Sequence, residues 1–278
     1  MSTLIEKGIS QEPTTTTAGE NVVLWGSSGS GKSALAVNIA SELSDLGHSV
    51  LLIDADSNHP SLAALMGVVS PGPGITALLR LARQGRLDRA ELLRLSQQVK
   101  LESSSFWLVP GMNNPERWPE LDAQSLTWLA KFAVGEFDYV VWDIASDLDP
   151  NVLGGTFDQA RNQASISLLA LADHLLAVFA ADAVGINRFL FDVRAVGRPF
   201  TAVANRVRPQ ALGKNPERKV VDLLYEIAQI SVEHLIPADD GFDEQLRTIR
   251  PLLLQGRKSK ARERIRKLAQ DIIANRSG

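Results

Sequence analysis

The chain has 278 residues, and its composition and charge exclude several classes of protein before any motif is considered. Hydrophobic residues make up 45% and charged residues 22%, which is typical of a globular protein and not of a disordered or fibrous chain. The absence of cysteine excludes disulfides, thiolate metal sites and cysteine nucleophiles.

The net charge of −3 is unevenly distributed along the chain. Residues 246–278 contain ten basic and two acidic side chains, a balance of +8, whereas the other residues contain 19 basic and 30 acidic ones, a balance of −11. Total charge therefore does not exclude an anionic partner, because a cationic segment could bind one locally.

Neither the N-terminal segment nor the most apolar stretch of the chain reads as a membrane element. Residues 1–20 are polar and Thr-rich and lack the apolar core of a secretion signal, so we expect a flexible arm. Residues 166–186 are apolar but are interrupted by Asp173, His174 and Asp182, which argues against a membrane span. We expect a cytoplasmic protein with a single domain over residues 21–278.

Short apolar runs alternate with helical patterns along this domain. The sequence predicts strands over residues 21–25, 49–53, 106–109, 139–142, 174–179, 200–204 and 231–235. It predicts helices over residues 32–46, 60–66, 75–84, 88–97, 122–134, 156–171, 185–196, 216–229, 241–247 and 259–274. Strands that are continuous Val, Leu and Ile runs are typical of a sheet buried on both faces. The alternation predicts an α/β fold, a doubly wound, mostly parallel sheet flanked by helices.

Residues 26–33 read GSSGSGKS and match the phosphate-loop pattern G-x-x-x-x-G-K-[ST] between a strand and a helix. The glycines let backbone N–H groups converge on phosphate oxygens, and the helix N-terminus adds partial positive charge. In such loops the lysine contacts the β- and γ-phosphates, and the following hydroxyl binds Mg²⁺. The pattern predicts ATP and Mg²⁺ as cofactors, although a serine- and glycine-rich turn with a chance lysine is the alternative. The predicted nucleotide contacts are Gly26, Ser27, Ser28, Gly29, Ser30, Gly31, Lys32, Ser33 and Ala34.

Acidic residues follow two of the predicted strands, where ligands bind in open α/β sheets. Asp54 and Asp56 end the run VLLIDAD, and Asp143 ends YVVWD. Asp143 is the candidate Walker B carboxylate, and Ser33, Asp54 and Asp143 are the candidate metal ligands. Lys32, Asp56 and Asp143 are the candidate catalytic residues, with Asp56 orienting the attacking water. Strand-terminal aspartates can instead cap the turn that follows them.

These segments together resemble the ParA/MinD family of P-loop ATPases, including its CpaE/TadZ-like pilus-assembly branch. The resemblance extends over about residues 20–275 and includes TAVANRV and VEHLIPADD near the end of the sheet. It implies that Asn205 hydrogen-bonds adenine, with Pro237 and Asp239 in the adjacent loop. It also implies an ATP-dependent homodimer that acts as a positioning switch with a protein partner in partitioning or in pilus or secretion assembly.

The chain departs from the pattern of the family at two places. The second loop position, where the family carries a lysine that reaches the partner subunit's phosphates, is Ser27. The residues after Asp143 are Ile144, Ala145, Ser146 and Asp147 instead of small hydroxyl and glycine residues. These departures predict slow ATP hydrolysis, or an ATP-binding scaffold with negligible turnover that localises a partner complex. A P-loop kinase is a third possibility, but no Arg-rich lid segment is evident.

The C-terminal segment combines an apolar stripe with a basic face. Ala261, Ile265, Leu268, Ile272 and Ile273 recur at helical spacing. The basic tail, as we call it, consists of Arg257, Lys258, Lys260, Arg262, Arg264, Arg266 and Lys267. It is either a closing helix with a solvated face or a contact for DNA or anionic membrane, which would make the protein peripheral to nucleoid or membrane.

Overall fold

The computed structural model describes residues 18–149 and 161–276. Most of the predicted N-terminal arm and the start of the helix predicted over residues 156–171 lie outside these ranges. Within them, eight strands form one sheet in the order β3-β4-β2-β5-β1-β6-β7-β8. The strands are β1 (Glu20–Gly26), β2 (Val50–Ala55), β3 (Gln97–Lys100), β4 (Ser105–Val109), β5 (Tyr139–Ile144), β6 (His174–Ala180), β7 (Thr201–Val207) and β8 (Val232–Pro237).

Helices cover both faces of the sheet, which confirms the predicted doubly wound α/β fold. They are α1 (Lys32–Asp45), α2 (Leu62–Leu65), α3 (Gly74–Arg83), α4 (Arg89–Arg94), α5 (Ala123–Val134), α6 (Gln163–Ala170), α7 (Ala183–Asp192), α8 (Pro209–Leu212), α9 (Pro216–Ala228), α10 (Gly241–Thr248) and α11 (Lys260–Ala274). Short 3₁₀ helices lie at Pro115–Glu120, Val193–Ala195 and Leu252–Gln255. None of the helices in the described ranges is long and apolar enough to span a bilayer.

The strand β3 is the main difference from the predicted elements. Residues 88–97 were expected to form one helix, but α4 is confined to Arg89–Arg94 and Gln97 already belongs to β3. The Asp88 side chain caps α4 by accepting a hydrogen bond from the Glu91 backbone N–H at 2.8 Å. The strand β3 pairs antiparallel with β4 at the edge of the sheet, whereas every other pair of neighbouring strands is parallel.

The central strand β1 is buried on both faces, as its uninterrupted apolar sequence predicts. Val22 and Leu24 pack with α1 and α11 on one face, and Val23 and Trp25 pack on the other face. The Trp25 indole N–H donates to the Ser146 carbonyl oxygen at 2.9 Å. Burial of the large ring therefore leaves no donor unpaired, and the indole ties β1 to the segment that follows β5.

The connections out of β1 and β6 place a crevice at the carboxyl end of the sheet. The chain leaves β1 through α1 towards β2, on the β5 side of β1, whereas β6, β7 and β8 follow on the other side. A reversal of this kind in a parallel sheet creates the crevice in which ligands bind. The phosphate loop lies at this point, between β1 and α1.

The helix α11 is the closing helix that its apolar stripe predicts. Its buried residues are Ala261, Ile265, Leu268, Ala269 and Ile272, and they pack with α1 on one face of the sheet. Its three arginines, Arg262, Arg264 and Arg266, pair with acidic side chains outside the helix. The buried Glu42 of α1 accepts hydrogen bonds from Arg262 at 2.8 Å and Arg266 at 2.7 Å.

Candidate functional site

The segment GSSGSGKS connects β1 to α1 through a tight backbone path. A Cβ atom on Gly26 would lie 2.1 Å from the Val178 carbonyl oxygen of β6, so no other residue fits there without a backbone shift. Gly31 precedes α1 with a φ of +85°, which residues with a side chain rarely adopt. The Ser30 N–H donates to the Ser27 carbonyl oxygen at 3.0 Å and closes a turn within the loop. The path matches a phosphate-binding loop that ends at a helix N-terminus.

Lys32 lies between two carboxylates that come from different strands. Its ammonium is 3.0 Å from Asp56 Oδ2 and 3.1 Å from Asp143 Oδ1, and all three side chains are buried. Asp56 Oδ1 also accepts the backbone N–H groups of Asn58 and His59, at 2.9 and 2.8 Å. The structure thus brings together the three residues that the sequence nominates for catalysis.

Burial and the charges of neighbouring groups together set the pKa values of these three side chains. Burial alone would lower the Lys32 pKa, but attraction to Asp143 and Asp56 outweighs it, so the Lys32 pKa is raised and the ammonium stays charged. Burial alone would raise the Asp56 pKa, yet Lys32 and the two backbone N–H groups keep that pKa below its ordinary value. Burial raises the Asp143 pKa despite the opposing attraction of Lys32.

Asp54 has a structural role in this arrangement. Its Oδ2 accepts the backbone N–H groups of Ser61 and Leu62 at 2.8 and 2.9 Å, at the start of α2, and its Oδ1 accepts the Asp56 N–H at 3.2 Å. Full burial, followed by repulsion from Asp143, raises the Asp54 pKa to about 8. Both oxygens of Asp54 already accept backbone N–H groups of the chain. The metal role of Asp54 stays a prediction.

Asp143 and Ser33 offer oxygen atoms that suit Mg²⁺. Asp143 Oδ2 is fully buried and makes no hydrogen bond of normal geometry, and the nearby Ser33 hydroxyl favours the charged form of the carboxylate. Among residues 18–149 and 161–276, no cluster of three or more acidic or histidine side chains could hold a metal alone. Mg²⁺ usually binds through one or two protein oxygens together with nucleotide phosphates and water.

A cavity of about 830 Å³ opens from the phosphate loop and is large enough for a nucleotide. Residues 27–34 and Asp56 belong to its wall. Leu65, Phe242 and Leu246 add apolar surface to the same wall. A wall that combines charged and apolar surface suits the phosphates and base of a nucleotide.

The residues that the resemblance assigns to the base lie around this cavity with different partners. Asn205 lines it, but its side-chain N–H donates to the Ser30 carbonyl oxygen at 2.8 Å and so supports the phosphate loop. Asp239 also lines it and accepts hydrogen bonds from the Gly241 N–H at 2.8 Å and the Ser259 hydroxyl at 2.7 Å. Pro237 ends β8, one residue before Ala238 reaches the cavity wall.

Ser27, the second residue of the phosphate loop, is engaged within its own chain. The hydroxyl donates to Asp192 Oδ2 at 2.7 Å, and Ser27 is buried. Asp192 is the last residue of α7, so this bond joins the first half of the phosphate loop to the end of that helix. The position contributes no cation to the site.

Sequence reasoning missed several residues of the cavity wall. Arg206 and Arg208 follow Asn205 at the end of β7, and Phe242 and Leu246 lie four residues apart on α10. The run NRVR directly follows the strand predicted over residues 200–204, at the ligand edge of the sheet, which was a usable signal for the arginines. The apolar pair on α10 carried no such signal, because an i, i+4 spacing usually marks packing against the core.

Comparison with known proteins agrees with this geometry. The profile of the CobQ/CobB/MinD/ParA nucleotide binding domain matches residues 22–252, which is most of the chain. The chain belongs to this family. A curated relative is the septum site-determining protein MinD of Synechocystis, which is 25% identical over 234 residues, or 84% of this chain and 81% of that protein.

Solved structures of ParA and MinD proteins share the fold of this family member. A ParA family ATPase from Chlorobium tepidum has a TM-score of 0.73 at 19% identity and covers 91% of this chain and 99% of its own. MinD from Pyrococcus horikoshii, solved in complex with Mg-ADP, has a TM-score of 0.65 at 16% identity and covers 91% and 96%. At these identities the likeness establishes the fold alone.

Proposed function

We propose that this protein binds Mg²⁺–ATP and acts as a slowly hydrolysing ATPase, a nucleotide-dependent positioning switch of the ParA/MinD kind. The observation that supports this most directly is the buried cluster of Lys32, Asp56 and Asp143 beside a phosphate loop at the mouth of a nucleotide-sized cavity. Membership of the nucleotide-binding family supports the same assignment.

Each residue of the cluster has a proposed role in phosphate chemistry. Backbone N–H groups of residues 27–34 would hold the phosphates, and Lys32 would contact the β- and γ-phosphates. Ser33 and Asp143 would hold Mg²⁺, which supplies positive charge that neutralises the phosphate oxygens. Asp56, whose lowered pKa keeps it ionised, would orient the attacking water.

The decisive test is ATP binding by a variant that lacks the Lys32 ammonium. We expect Lys32→Ala to abolish measurable binding of ATP in the presence of Mg²⁺, because the phosphates lose their principal cation. Equilibrium dialysis with labelled ATP measures this, and Lys131→Ala, which removes an exposed lysine of α5 that does not line the cavity, is the matched control. Unchanged affinity in Lys32→Ala would refute the proposal.

An ATP-holding scaffold with negligible turnover is the second candidate function. The bond from Ser27 to Asp192 favours it, since this loop position supplies no cation to a partner's phosphates. A cation given in trans is worth roughly 10³–10⁵ in rate in related phosphoryl-transfer systems. Phosphate release under conditions that saturate ATP binding separates the two candidates: steady turnover stimulated by a partner or by DNA contradicts the scaffold.

The remaining parts of the proposal concern assembly and location. We infer a single nucleotide-binding domain over residues 21–278, preceded by an arm at residues 1–20, that forms an ATP-dependent homodimer. The partner of this homodimer would be a protein of a partitioning, pilus or secretion system, in line with the CpaE/TadZ-like branch. The homodimer would lie in the cytoplasm, beside nucleoid or membrane. Sedimentation with ATP, ADP or no nucleotide tests the dimer, and an unchanged mass in all three contradicts it.

A further inference from the structure

A second, smaller cleft lies beside the phosphate loop and is lined by three arginines. It has a volume of about 530 Å³ and shares residues 27–30 with the wall of the nucleotide cavity. Arg188 comes from α7, and Arg206 and Arg208 come from the end of β7 and the residue beyond it. We call this feature the arginine cleft.

The position of Arg206 is imposed by an uncommon backbone conformation. Its φ is +57°, in the left-handed region that non-glycine residues rarely adopt, and Asn205 Oδ1 accepts its N–H at 2.9 Å. Its guanidinium lies against the loop: Nε and Nη2 are each 3.7 Å from the place where a Cβ on Gly31 would be. Strained backbone of this kind persists where the surrounding structure holds it, often at ligand sites. Arg206 lines both the cleft and the nucleotide cavity.

The cleft carries more positive than negative charge. In the part of the chain that the structure describes, neither Arg188 nor Arg206 forms an ion pair; Arg188 makes only a long hydrogen bond of 3.4 Å to the Ser28 carbonyl oxygen. Arg208 lies 3.8 Å from Asp182, the one acidic residue of the lining. Asp182 Oδ1 is in turn occupied by the Gly185 N–H at 2.9 Å, as the N-cap of α7. The basic tail differs, because most of its cations have acidic partners.

We propose that the arginine cleft is a cationic subsite for the phosphate groups of nucleotide bound at the phosphate loop. Guanidinium groups match phosphate geometry through paired N–H donors, and these three line one cleft beside the loop, where Ser27 contributes no charge. The phosphates come from the nucleotide of the same chain or from that of a second copy facing the loop. The proposal rests on the ATP binding proposed above.

The first experiment measures the affinity for ATP and ADP in Mg²⁺, by titration of a fluorescent analogue. Loss of a charge-assisted contact predicts about tenfold weaker ATP binding in Arg206→Ala and up to about a hundredfold in a variant with Arg188, Arg206 and Arg208 all changed to alanine. Arg206→Lys retains only part of the wild-type affinity, because it keeps the positive charge but loses the paired N–H donors of the guanidinium group. Arg194→Ala, which removes an exposed arginine from the 3₁₀ turn after α7, leaves the affinity unchanged. Thermal melts without nucleotide check folding.

A mixing experiment identifies the source of the phosphates. Lys32→Ala protein, which should bind no ATP itself, is added in excess to the triple variant. Recovery of ATP affinity means that the arginines of one copy serve the nucleotide of another. If sedimentation with ATP shows that the two proteins associate and the affinity still stays low, the arginines serve the nucleotide of their own chain.

Three results would overturn the inference. If wild type and the folded triple variant bind ATP equally well, the arginine cleft is no phosphate subsite, although the proposed ATP binding stands. If wild type binds no ATP, the proposed function and this inference fail together. An affinity loss of equal size in Arg194→Ala would also refute it, because the effect would then reflect overall charge.

Discussion

The ammonium of Lys32 has two carboxylate partners, so an incoming phosphate must compete with Asp56 and Asp143 for it. Binding of Mg²⁺ beside Asp143 would neutralise one competitor, which couples metal and nucleotide binding through a single side chain. Asp56 is the competitor that remains, and it is the residue proposed to orient water.

Replacement of Asp56 by asparagine should therefore separate binding from chemistry. We expect Asp56→Asn to bind ATP at least as tightly as wild type, since Lys32 loses an anionic competitor, while phosphate release falls by roughly 10²- to 10⁴-fold. Affinity and single-turnover hydrolysis measured on the same preparation check this. Asp147→Asn, at the cavity wall outside the cluster, is the control. Undiminished hydrolysis in Asp56→Asn would remove that residue from the reaction.

The buried Asp54 should make the stability of the metal-free protein depend on pH. The pKa of Asp54 is about 8 in the folded state, against an ordinary value of 3.8. Between pH 3.8 and about pH 8, the folded protein therefore holds a proton that the unfolded chain has lost. Stability contributed by Asp54 is therefore complete below about pH 4 and falls as pH rises towards 8. Asp54→Asn should flatten this decline, as measured by urea unfolding with EDTA. An identical pH dependence in both proteins would contradict the assignment.

At the scale of elements, the sequence predicts those features that depend on residues close together along the chain. The phosphate loop and the strand-terminal aspartates were predictable, because each is defined by neighbouring residues within one segment. The strand β3 was not, since QQVK has no apolar run and becomes a strand only by pairing with β4. The arginine cleft was predictable only in part: NRVR signals Arg206 and Arg208, but Arg188 of α7 lines the same cleft only through the tertiary fold.

The packing of α11 on α1 depends on a buried carboxylate as well as on apolar contacts. Glu42 is only 2% exposed and pairs with both Arg262 and Arg266. Both arginines remain about one third exposed, which screens the interaction.

Glu42→Gln should lower the free energy of unfolding by no more than about 3 kcal/mol, because two guanidinium groups lose their shared anion while solvent still reaches them. Chemical denaturation measures the change. Asp45→Asn is the matched control: its carboxylate pairs with Arg266 alone and is more exposed, so a smaller loss is expected. A larger loss in Asp45→Asn than in Glu42→Gln would contradict this account of the interface.

At the scale of the whole molecule, most basic side chains of the tail form ion pairs with acidic side chains of the folded protein. Within the described ranges, Arg257, Arg262, Arg264 and Arg266 pair with acids outside the tail, and Lys267 pairs with Asp271 of its own helix. Lys258 and Lys260 are the members of the tail that form no such pair there. The tail therefore presents less free charge to DNA or lipid than its sequence suggests.

The salt dependence of DNA binding tests this distribution of charge. If the tail contacts DNA, its two unpaired lysines should contribute a slope of only about −2 to the logarithm of affinity against the logarithm of salt concentration. The difference between wild type and a Lys258→Gln/Lys260→Gln variant, titrated on duplex DNA, measures that contribution. A slope of about −4.5 that remains in the double variant, as expected if the other five cations of the tail also contact DNA, would mean that the ion pairs of the tail open on binding.

Asp239 joins the nucleotide cavity to the C-terminal helix. One carboxylate oxygen accepts the hydroxyl of Ser259, which itself caps α11 by accepting the Arg262 N–H at 3.0 Å. Any ligand that orders the loop around Asp239 would therefore also stabilise the first turn of α11. Amide hydrogens of that turn should exchange with solvent more slowly when nucleotide is bound, so the far end of the chain becomes a reporter of occupancy at the site.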